Sequence, residues 1–237
     1  QKKIWLSSPH MSESELKYIN DVFEKNWIAP VGPHISKFEE ILSKKHDNYS
    51  VAALNSGTSA IHLSLILLGV KSGDDVLCSS FTFAATANPI KYIGANPIFI
   101  DSEYETWNMC PDLLEKAIKE RIEIGKKPKA IVLVHLYGMP AKIDEILDIS
   151  KKFDIPVIED AAEALGSTYK KKNTGTFGEF GVFSFNGNKI ITTSGGGALI
   201  SKNKKFISNA KYLSTQARDD MPHYEHTQIG YNYRFCL

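Results

Sequence analysis

This sequence has almost no surplus charge. Its 237 residues carry 28 Lys and Arg against 27 Asp and Glu, so no net field draws nucleic acid or an anionic membrane to it. Cysteine is scarce: Cys78, Cys110 and Cys236 are the only three. They form no C-x-x-C pair and are odd in number, which argues against a disulfide framework and for a reducing, cytoplasmic compartment. The longest apolar run is too short to span a bilayer, and no charged-then-apolar leader opens at Gln1. The missing initiator Met suggests a trimmed chain. Internal repeats and low-complexity linkers are absent. No H-x-x-x-H pair or cysteine cluster suggests a metal, and Ser194-Gly195-Gly196-Gly197 is not the G-x-G-x-x-G of a dinucleotide site.

What is present is an ordinary globular composition, 43% hydrophobic and 23% charged, in a chain long enough to bury a large core. Residues 1–11 read as an extended lead-in. Ser12 and Glu15 have capping-box spacing, and Leu16, Ile19, Val22 and Phe23 follow at helical intervals. A stiff loop from Trp27 through Ile28 to Pro33 precedes a second amphipathic helix at about Ile35 to Lys45. From Ser50 strands and helices alternate. Strands are expected at Ser50–Leu54, Asp75–Ser79, Pro97–Asp101, Lys129–His135 and Ile155–Glu159. Helices are expected at Ala60–Leu68, Ala84–Tyr92, Asp112–Ile124 and Ala141–Phe153. This rhythm implies right-handed crossovers and a mainly parallel sheet covered on both faces. Short strands at Thr168–Tyr169, Val182–Phe185 and Ala198–Ser201 and a helix at Lys204–Leu213 follow; Met221–Leu237 reads as irregular.

Candidate chemistry falls at the expected strand ends, where such sheets bind ligands. The stretch Gly181–Gly197 places Lys189 between a strand end and a glycine-rich loop. There an amine can be held and partly dehydrated, which makes it a nucleophile toward a carbonyl; it can equally be a solvated turn lysine. Ser56-Gly57-Thr58-Ser59 opens a helix and suits phosphate, or is a plain N-cap. Glu159 and Asp160 end a buried strand and need an answering group, which for Asp160 a protonated ring nitrogen could supply, unless they only decorate a helix start. Phe81 and Phe83 are candidates to stack on a flat cofactor, or ordinary core. His135 and Tyr137 could each hydrogen-bond a ligand.

Eight stretches occur in one order: NSGTSA (55–60), SFTFAATANP (80–89), PIFID (97–101), HLYG (135–138), VIEDAAEALG (157–166), FSFNGNK (183–189), TSGGGAL (193–199) and GYNYR (230–234). From about Leu6 to Arg234 the chain resembles the DegT-type nucleotide-sugar aminotransferases, fold-type I enzymes dependent on pyridoxal phosphate. The resemblance implies a three-layer αβα large domain with a mainly parallel mixed sheet. It divides the chain into lead-in helices (1–49), the sheet domain (50–215) and the start of a connection (216–237) to a small C-terminal domain. The resemblance implies that this domain is missing here, since Phe235-Cys236-Leu237 looks like the end of an interrupted reading frame. The resemblance also implies roles. Lys189 matches the lysine that joins the cofactor and moves the proton. Asp160 matches the partner of the pyridinium nitrogen. Glu163 stands near the ring hydroxyl. Phe83, with Phe81 second, matches the ring-stacking aromatic. Gly57, Thr58 and Ser184 match phosphate contacts. Asn232 matches a residue that reaches the phosphate in the neighbouring subunit, which implies a homodimer with shared sites.

The nearest resemblance is to enzymes that use glutamate to aminate C4 of a UDP-linked 4-keto-6-deoxy-N-acetylhexosamine; dTDP-linked keto sugars are also expected substrates. Such enzymes serve surface-glycan, exopolysaccharide or protein-glycosylation pathways. Two alternatives stand beside this: a 3-dehydratase of the same family, whose histidine at the lysine position Lys189 argues against, and a non-catalytic fragment.

Overall fold

The computed structural model describes residues 3, 11–27 and 29–235. Apart from Lys3, the expected lead-in through His10 lies outside the described residues, as do Ile28 of the stiff loop, Cys236 and Leu237. Helix α1 spans Ser14–Glu24 and α2 Pro33–Lys45. Ahead of α1, Glu15 Oε1 accepts from the Ser12 backbone N–H and hydroxyl, each at 3.0 Å, which is the returning half of a capping box. The apolar stripe of α1 finds no cover among the described residues: Leu16, Ile19 and Phe23 are exposed. Helix α2 starts two residues earlier than expected because Pro33, which has no N–H to lose, suits the first helical turn.

Strands β1 (Ser50–Leu54), β2 (Asp75–Ser79), β3 (Asn96–Ile100), β4 (Ala130–Val134), β5 (Val157–Asp160), β8 (Phe180–Ser184) and β9 (Gly197–Ser201) form one sheet in the order β1-β9-β8-β5-β4-β2-β3. Between them run α3 (Gly57–Leu67), α4 (Asn88–Tyr92), α5 (Pro111–Glu123) and α6 (Ile143–Phe153), and α7 (Lys204–Ser214) follows β9. All neighbours pair in parallel except at β9, which is antiparallel to both β8 and β1. The mainly parallel sheet expected from the alternation, and the mixed pairing implied by the resemblance, are therefore present. The expected helix at Ala84–Tyr92 divides into a 3₁₀ turn, Ala84–Thr86, and α4, because Pro89 suits the first turn of a new helix better than the middle of a long one. A small hairpin, β6 (Thr168–Tyr169) with β7 (Lys172–Asn173), adds one strand the sequence did not announce.

Alternation along the strands assigns the layers. Ala52, Val76, Cys78, Ala130, Val132, Ile158, Val182 and Leu199 join one core, with Ile61, Leu63 and Leu65 of α3 and Ile207, Ala210 and Leu213 of α7. The residues between them point the other way. Leu77, Ile131, Leu133 and Val157 pack with Leu114, Ile118 and Ile146 of α5 and α6, and Val51, Phe183, Ala198 and Ile200 pack with Leu42 of α2. Helix α3 is apolar nearly all round and correspondingly buried from Ser59 to Leu65. Cys78 is buried in this core, which pushes its thiol up to about 12, and Cys110 is also a free thiol. Among the described residues no helix is long and apolar enough to cross a membrane.

At the opposite sheet edge from the strand tips, Asp75 is fully buried. Arg121 of α5 answers it through Nε at 2.8 Å and a terminal nitrogen at 2.6 Å, and Asn96 Nδ2 donates from 3.2 Å. Removing the cation leaves a buried carboxylate without its charge partner. Arg121→Ala is therefore expected to lose on the order of 3 kcal/mol. A urea titration would measure it, and a loss below about 1 kcal/mol, the range of an exposed pair, would contradict this reading.

The motif GYNYR packs on its own chain. Tyr231 N–H donates to Leu213 O at 2.7 Å and Tyr233 N–H to Ser214 O at 3.0 Å. Asn55 N–H donates to Tyr233 O at 2.9 Å, and the Tyr233 hydroxyl lies 3.1 Å from His62 Nδ1 of α3. The two tyrosine rings stack on each other with centroids 5.1 Å apart. Both rings also meet His62 of α3 edge-on and pack against the core, so a motif with no apolar periodicity still gains a buried surface. Phe235 is buried as well, stacked on Phe38 of α2.

Candidate active site

Because β1, β2, β4, β5 and β8 run the same way, their carboxyl ends meet at one edge of the sheet. A cavity of about 580 Å³ opens there, within the range of small-molecule sites. Every strand end contributes to its wall.

From β1 the chain turns into α3. Ser56 is the N-cap, and its Oγ accepts from Ser59 N–H at 3.1 Å. The cap and anion readings of this stretch coexist. The cap occupies the N–H of Ser59, while those of Gly57 and Thr58 belong to the first turn and have no partner inside the helix. Both residues line the cavity, and so does Ser184 at the end of β8. A Cβ on Gly57 would meet Ser184 Cβ at 3.2 Å, and one on Gly197 would fall 2.2 Å from the Ser56 carbonyl carbon. Two glycines thus let two strands close on the start of a helix. The result is a cradle of N–H and hydroxyl donors of the kind that binds phosphate.

At the tip of β8, the turn Asn186-Gly187-Asn188 returns the chain, and Lys189 N–H donates to Asn186 O at 3.0 Å. The Lys189 side chain is only 11% exposed, and Nζ meets Glu163 Oε1 at 2.9 Å. The second oxygen of Glu163 accepts the Tyr137 N–H at 3.1 Å. Lysine and glutamate therefore stand together in the cavity wall.

Asp160 ends β5 and is 7% exposed. Its Oδ2 accepts from the Thr86 hydroxyl at 2.7 Å, and its Oδ1 from Ala162 N–H at 3.3 Å. Burial pushes its carboxyl above the ordinary aspartate value, against the Thr86 and Ala162 hydrogen bonds and the charge of Lys189. Among the described residues no cation forms an ion pair with it. A buried carboxylate without an ion-pair partner, facing a cavity, fits a cationic ring nitrogen.

Its neighbour Glu159 faces the other side of the sheet, as alternation requires. It is fully buried and accepts from the N–H groups of Gly175, Phe177 and Gly178 at 2.6–2.8 Å, and it meets His135 Nε2 at 3.0 Å. Backbone dipoles and an imidazole answer it, and it takes no part in the cavity. His135 is likewise committed. Ala141 N–H donates to its Nδ1 at 3.2 Å, so the ring proton sits on Nε2 and points to Glu159. The expectation that His135 could hydrogen-bond a ligand is thereby corrected. Tyr137, 72% exposed, keeps its hydroxyl available.

Phe81 and Phe83 both line the cavity and are 44% and 78% exposed. Phe81 leans on Trp107 with centroids 5.8 Å apart, whereas Phe83 presents its face more freely. Asn232 does not join this cavity. It is exposed, and its Oδ1 accepts from Gln216 Nε2 at 3.3 Å. Two contributors escaped the sequence reading. Thr86 donates to Asp160. Asn108, 2% exposed, accepts from Leu136 N–H at 2.8 Å and donates to Met139 O at 3.0 Å, which fixes the turn carrying Tyr137. Nothing local in the sequence marks Asn108. Thr86 could have been suspected from its place in a segment that ends a buried strand.

The sequence profile of the DegT/DnrJ/EryC1/StrS aminotransferase family matches residues 9–236. The chain belongs to this family. EpsN of Bacillus subtilis (strain 168), whose name places it among the pyridoxal phosphate-dependent aminotransferases, is 57% identical over 233 residues, 98% of this chain and 60% of that protein. GDP-perosamine synthase of Escherichia coli O157:H7 is 40% identical over 233 residues, 98% of this chain and 62% of its own length. Among solved structures, the pyridoxal phosphate form of Spr1654 from Streptococcus pneumoniae, named a sugar aminotransferase, superposes with a TM-score of 0.90 at 30% identity, covering 99% of this chain and 64% of that one. This DegT-family chain thus spans about three fifths of the length of the relatives it matches. The family's cofactor is pyridoxal phosphate, and the cavity fits it: a donor cradle for its phosphate, a buried carboxylate for its ring nitrogen and a lysine beside an aromatic face.

Proposed function

We propose that this chain is the cofactor-binding part of an aminotransferase that moves an amino group from glutamate to a keto nucleotide sugar. The observation that carries this is the convergence of Lys189 and Asp160, from β8 and β5, on one cavity that ends in the Gly57–Thr58–Ser184 cradle. Pyridoxal phosphate, when bound, supplies an electron-accepting ring that lets a C–H bond beside an amine break. The chain's own residues supply the rest. Gly57, Thr58 and Ser184 would hold the phosphate. Asp160 would keep the proton on the ring nitrogen, and its burial cost is offset once a cation faces it. Glu163 would stand near the ring hydroxyl, and Phe83, with Phe81 beside it, would cover a ring face and exclude water. Lys189 would carry the cofactor and afterwards move a proton through Nζ.

The sugar is read as a UDP-4-keto-6-deoxy-N-acetylhexosamine aminated at C4, for a surface-glycan, exopolysaccharide or protein-glycosylation pathway in the cytoplasm. The similarity to a GDP-perosamine synthase adds GDP-linked keto sugars to the candidates. Residues 1–49 would form the lead-in, 50–215 the sheet domain and 216–237 the start of the connection to a further domain. A homodimer with shared sites is supported by Asn232, which is exposed and outside its own cavity, and by the uncovered stripe of α1. A second reading has its own support in the three-fifths coverage: the chain holds the cofactor but aminates sugar poorly without the remainder.

Added pyridoxal phosphate should give the chain an absorbance band near the visible, and glutamate should discharge it. A band that glutamate leaves untouched would remove transamination. Light scattering would report the dimer, and a stable monomer would remove the shared-site role of Asn232. A panel of UDP-, GDP- and dTDP-keto sugars would then identify the acceptor.

A further inference from the structure

Asp160 is not held by its own strand alone. Its Oδ2 accepts from Thr86 Oγ1 at 2.7 Å, and Thr86 Oγ1 lies 2.7 Å from Thr82 Oγ1. Thr86 is 1% exposed, so water does not compete for its hydroxyl. A hydroxyl has one proton to give. Facing a carboxylate, which only accepts, Thr86 must spend that proton on Asp160 and accept from Thr82. The chain Thr82 to Thr86 to Asp160 therefore has a fixed direction whenever Asp160 is ionised. Thr82 ends the chain at the cavity wall.

The two threonines also belong to the segment that carries Phe81 and Phe83. Thr86 closes the 3₁₀ turn Ala84–Thr86, and its N–H donates to Phe83 O at 3.0 Å. One residue thus joins the carboxylate in the cavity, through its hydroxyl, to the backbone of the aromatic wall, through its N–H.

We infer that Thr86, supported by Thr82, is a positioning residue that keeps Asp160 ionised and its Oδ2 fixed. Oδ1 is left to the cavity and to whatever cation enters it. Oδ1 has only the longer Ala162 contact, and Oδ2 is committed, so the carboxylate presents one oxygen in one orientation. The inference rests on the proposed function only in taking that cation to be the ring nitrogen of pyridoxal phosphate.

Two measurements test it. The first uses the chain without cofactor. Burial raises the Asp160 carboxyl, so the folded chain binds more protons than the unfolded one above the ordinary aspartate value. Stability from this group therefore falls as pH rises, until the folded value is passed. Thr86→Val keeps the shape and removes the donor, which deepens that fall. Lys189, after the turn that ends β8, and His135, just after β4, lie near Asp160, Glu163 pairs with Lys189, and Glu159 lies on the opposite face; none of these changes in the variant. The drop in thermal midpoint of Thr86→Val below wild type should grow as pH rises from the ordinary aspartate value to pH 8, by about 3 °C in all. Thr86→Ser, which keeps the hydroxyl, should stay near wild type throughout.

The second measurement is the dissociation constant for pyridoxal phosphate. Thr86→Val should weaken it about tenfold, the worth of a hydrogen bond to a charged group, and Thr86→Ser by less than about threefold. Should Thr86→Val not fold, Thr82→Val at the cavity wall replaces it, with an expected weakening of about threefold. If the wild type binds no pyridoxal phosphate, the proposed function fails, while the midpoint comparison still tests the inference. If the wild type binds it and the valine variant binds equally, with a midpoint loss that does not depend on pH, Thr86 only fills space and the inference is overturned.

Discussion

Lys189→Ala is expected to leave the fold intact and to abolish borohydride-trappable cofactor. Lys189 is the one lysine among the described residues that line the cavity. No other amine stands there to take its place. The structural cost of removing it is small. Nζ has one ion pair, to Glu163, whose side chain is 31% exposed, and a pair open to solvent is worth about 1 kcal/mol or less. The expected drop in thermal midpoint is no more than about 2–4 °C. Phosphate and ring contacts remain, so the variant should still bind cofactor weakly and reversibly. Trapping at the wild-type level would show that another group holds the cofactor.

Asp160→Asn is expected to bind pyridoxal phosphate and yet lose most of the half-reaction with glutamate. Asparagine has the size of aspartate and can still accept from Thr86, but it cannot keep a proton on a ring nitrogen. The loss of one group placed to stabilise developing charge costs on the order of a hundredfold in rate. An opposite effect on stability should accompany it. The folded-state carboxyl of Asp160 is raised by burial, so ionising it costs stability as pH rises above the ordinary aspartate value. A neutral amide has no such cost. The cofactor-free variant should therefore melt higher than wild type at pH 8, by about 2–4 °C, with the gap closing toward acid. Single-turnover absorbance decay with glutamate measures the first effect and scanning calorimetry the second. An unchanged half-reaction rate would remove Asp160 from the ring nitrogen.

The two predictions pull in one direction. The site keeps a carboxylate where the empty fold is less stable for it, as functional sites do when local stability and chemistry conflict. The ion pair of Lys189 with Glu163 and the hydroxyl on Asp160 are what make that arrangement tolerable before a ligand arrives.

Much of this was legible in the residues. The alternation of strands and helices from Ser50 to Glu159 foretold the parallel sheet because each strand is a short apolar run bounded by turn residues. The strand ends foretold the cavity because parallel strands bring their carboxyl ends together. Lys189, Asp160, Glu163, Gly57, Thr58, Ser184 and Phe83 all meet there.

What the sequence hid was pairing across distance. Glu159 and Asp160 look alike as adjacent carboxylates, yet the pleat sends one to backbone N–H groups and the other to the cavity. His135 looked free to bind and is consumed by Glu159 and Ala141, partners 24 and 6 residues away. GYNYR has no periodicity, so its packing on α3 and α7 could be read only from the fold. The stripe of α1 followed helical spacing faithfully, and spacing says nothing of what lies opposite it.

The central claim is that Lys189 carries pyridoxal phosphate in this cavity. The most direct test is to incubate the wild-type chain with pyridoxal phosphate, reduce with borohydride, digest, and map the modified peptide by mass spectrometry. The expected result is one phosphopyridoxyl group on Lys189, in the peptide that follows Phe183-Ser184-Phe185-Asn186. Label spread over exposed lysines, or absent from Lys189, would contradict it.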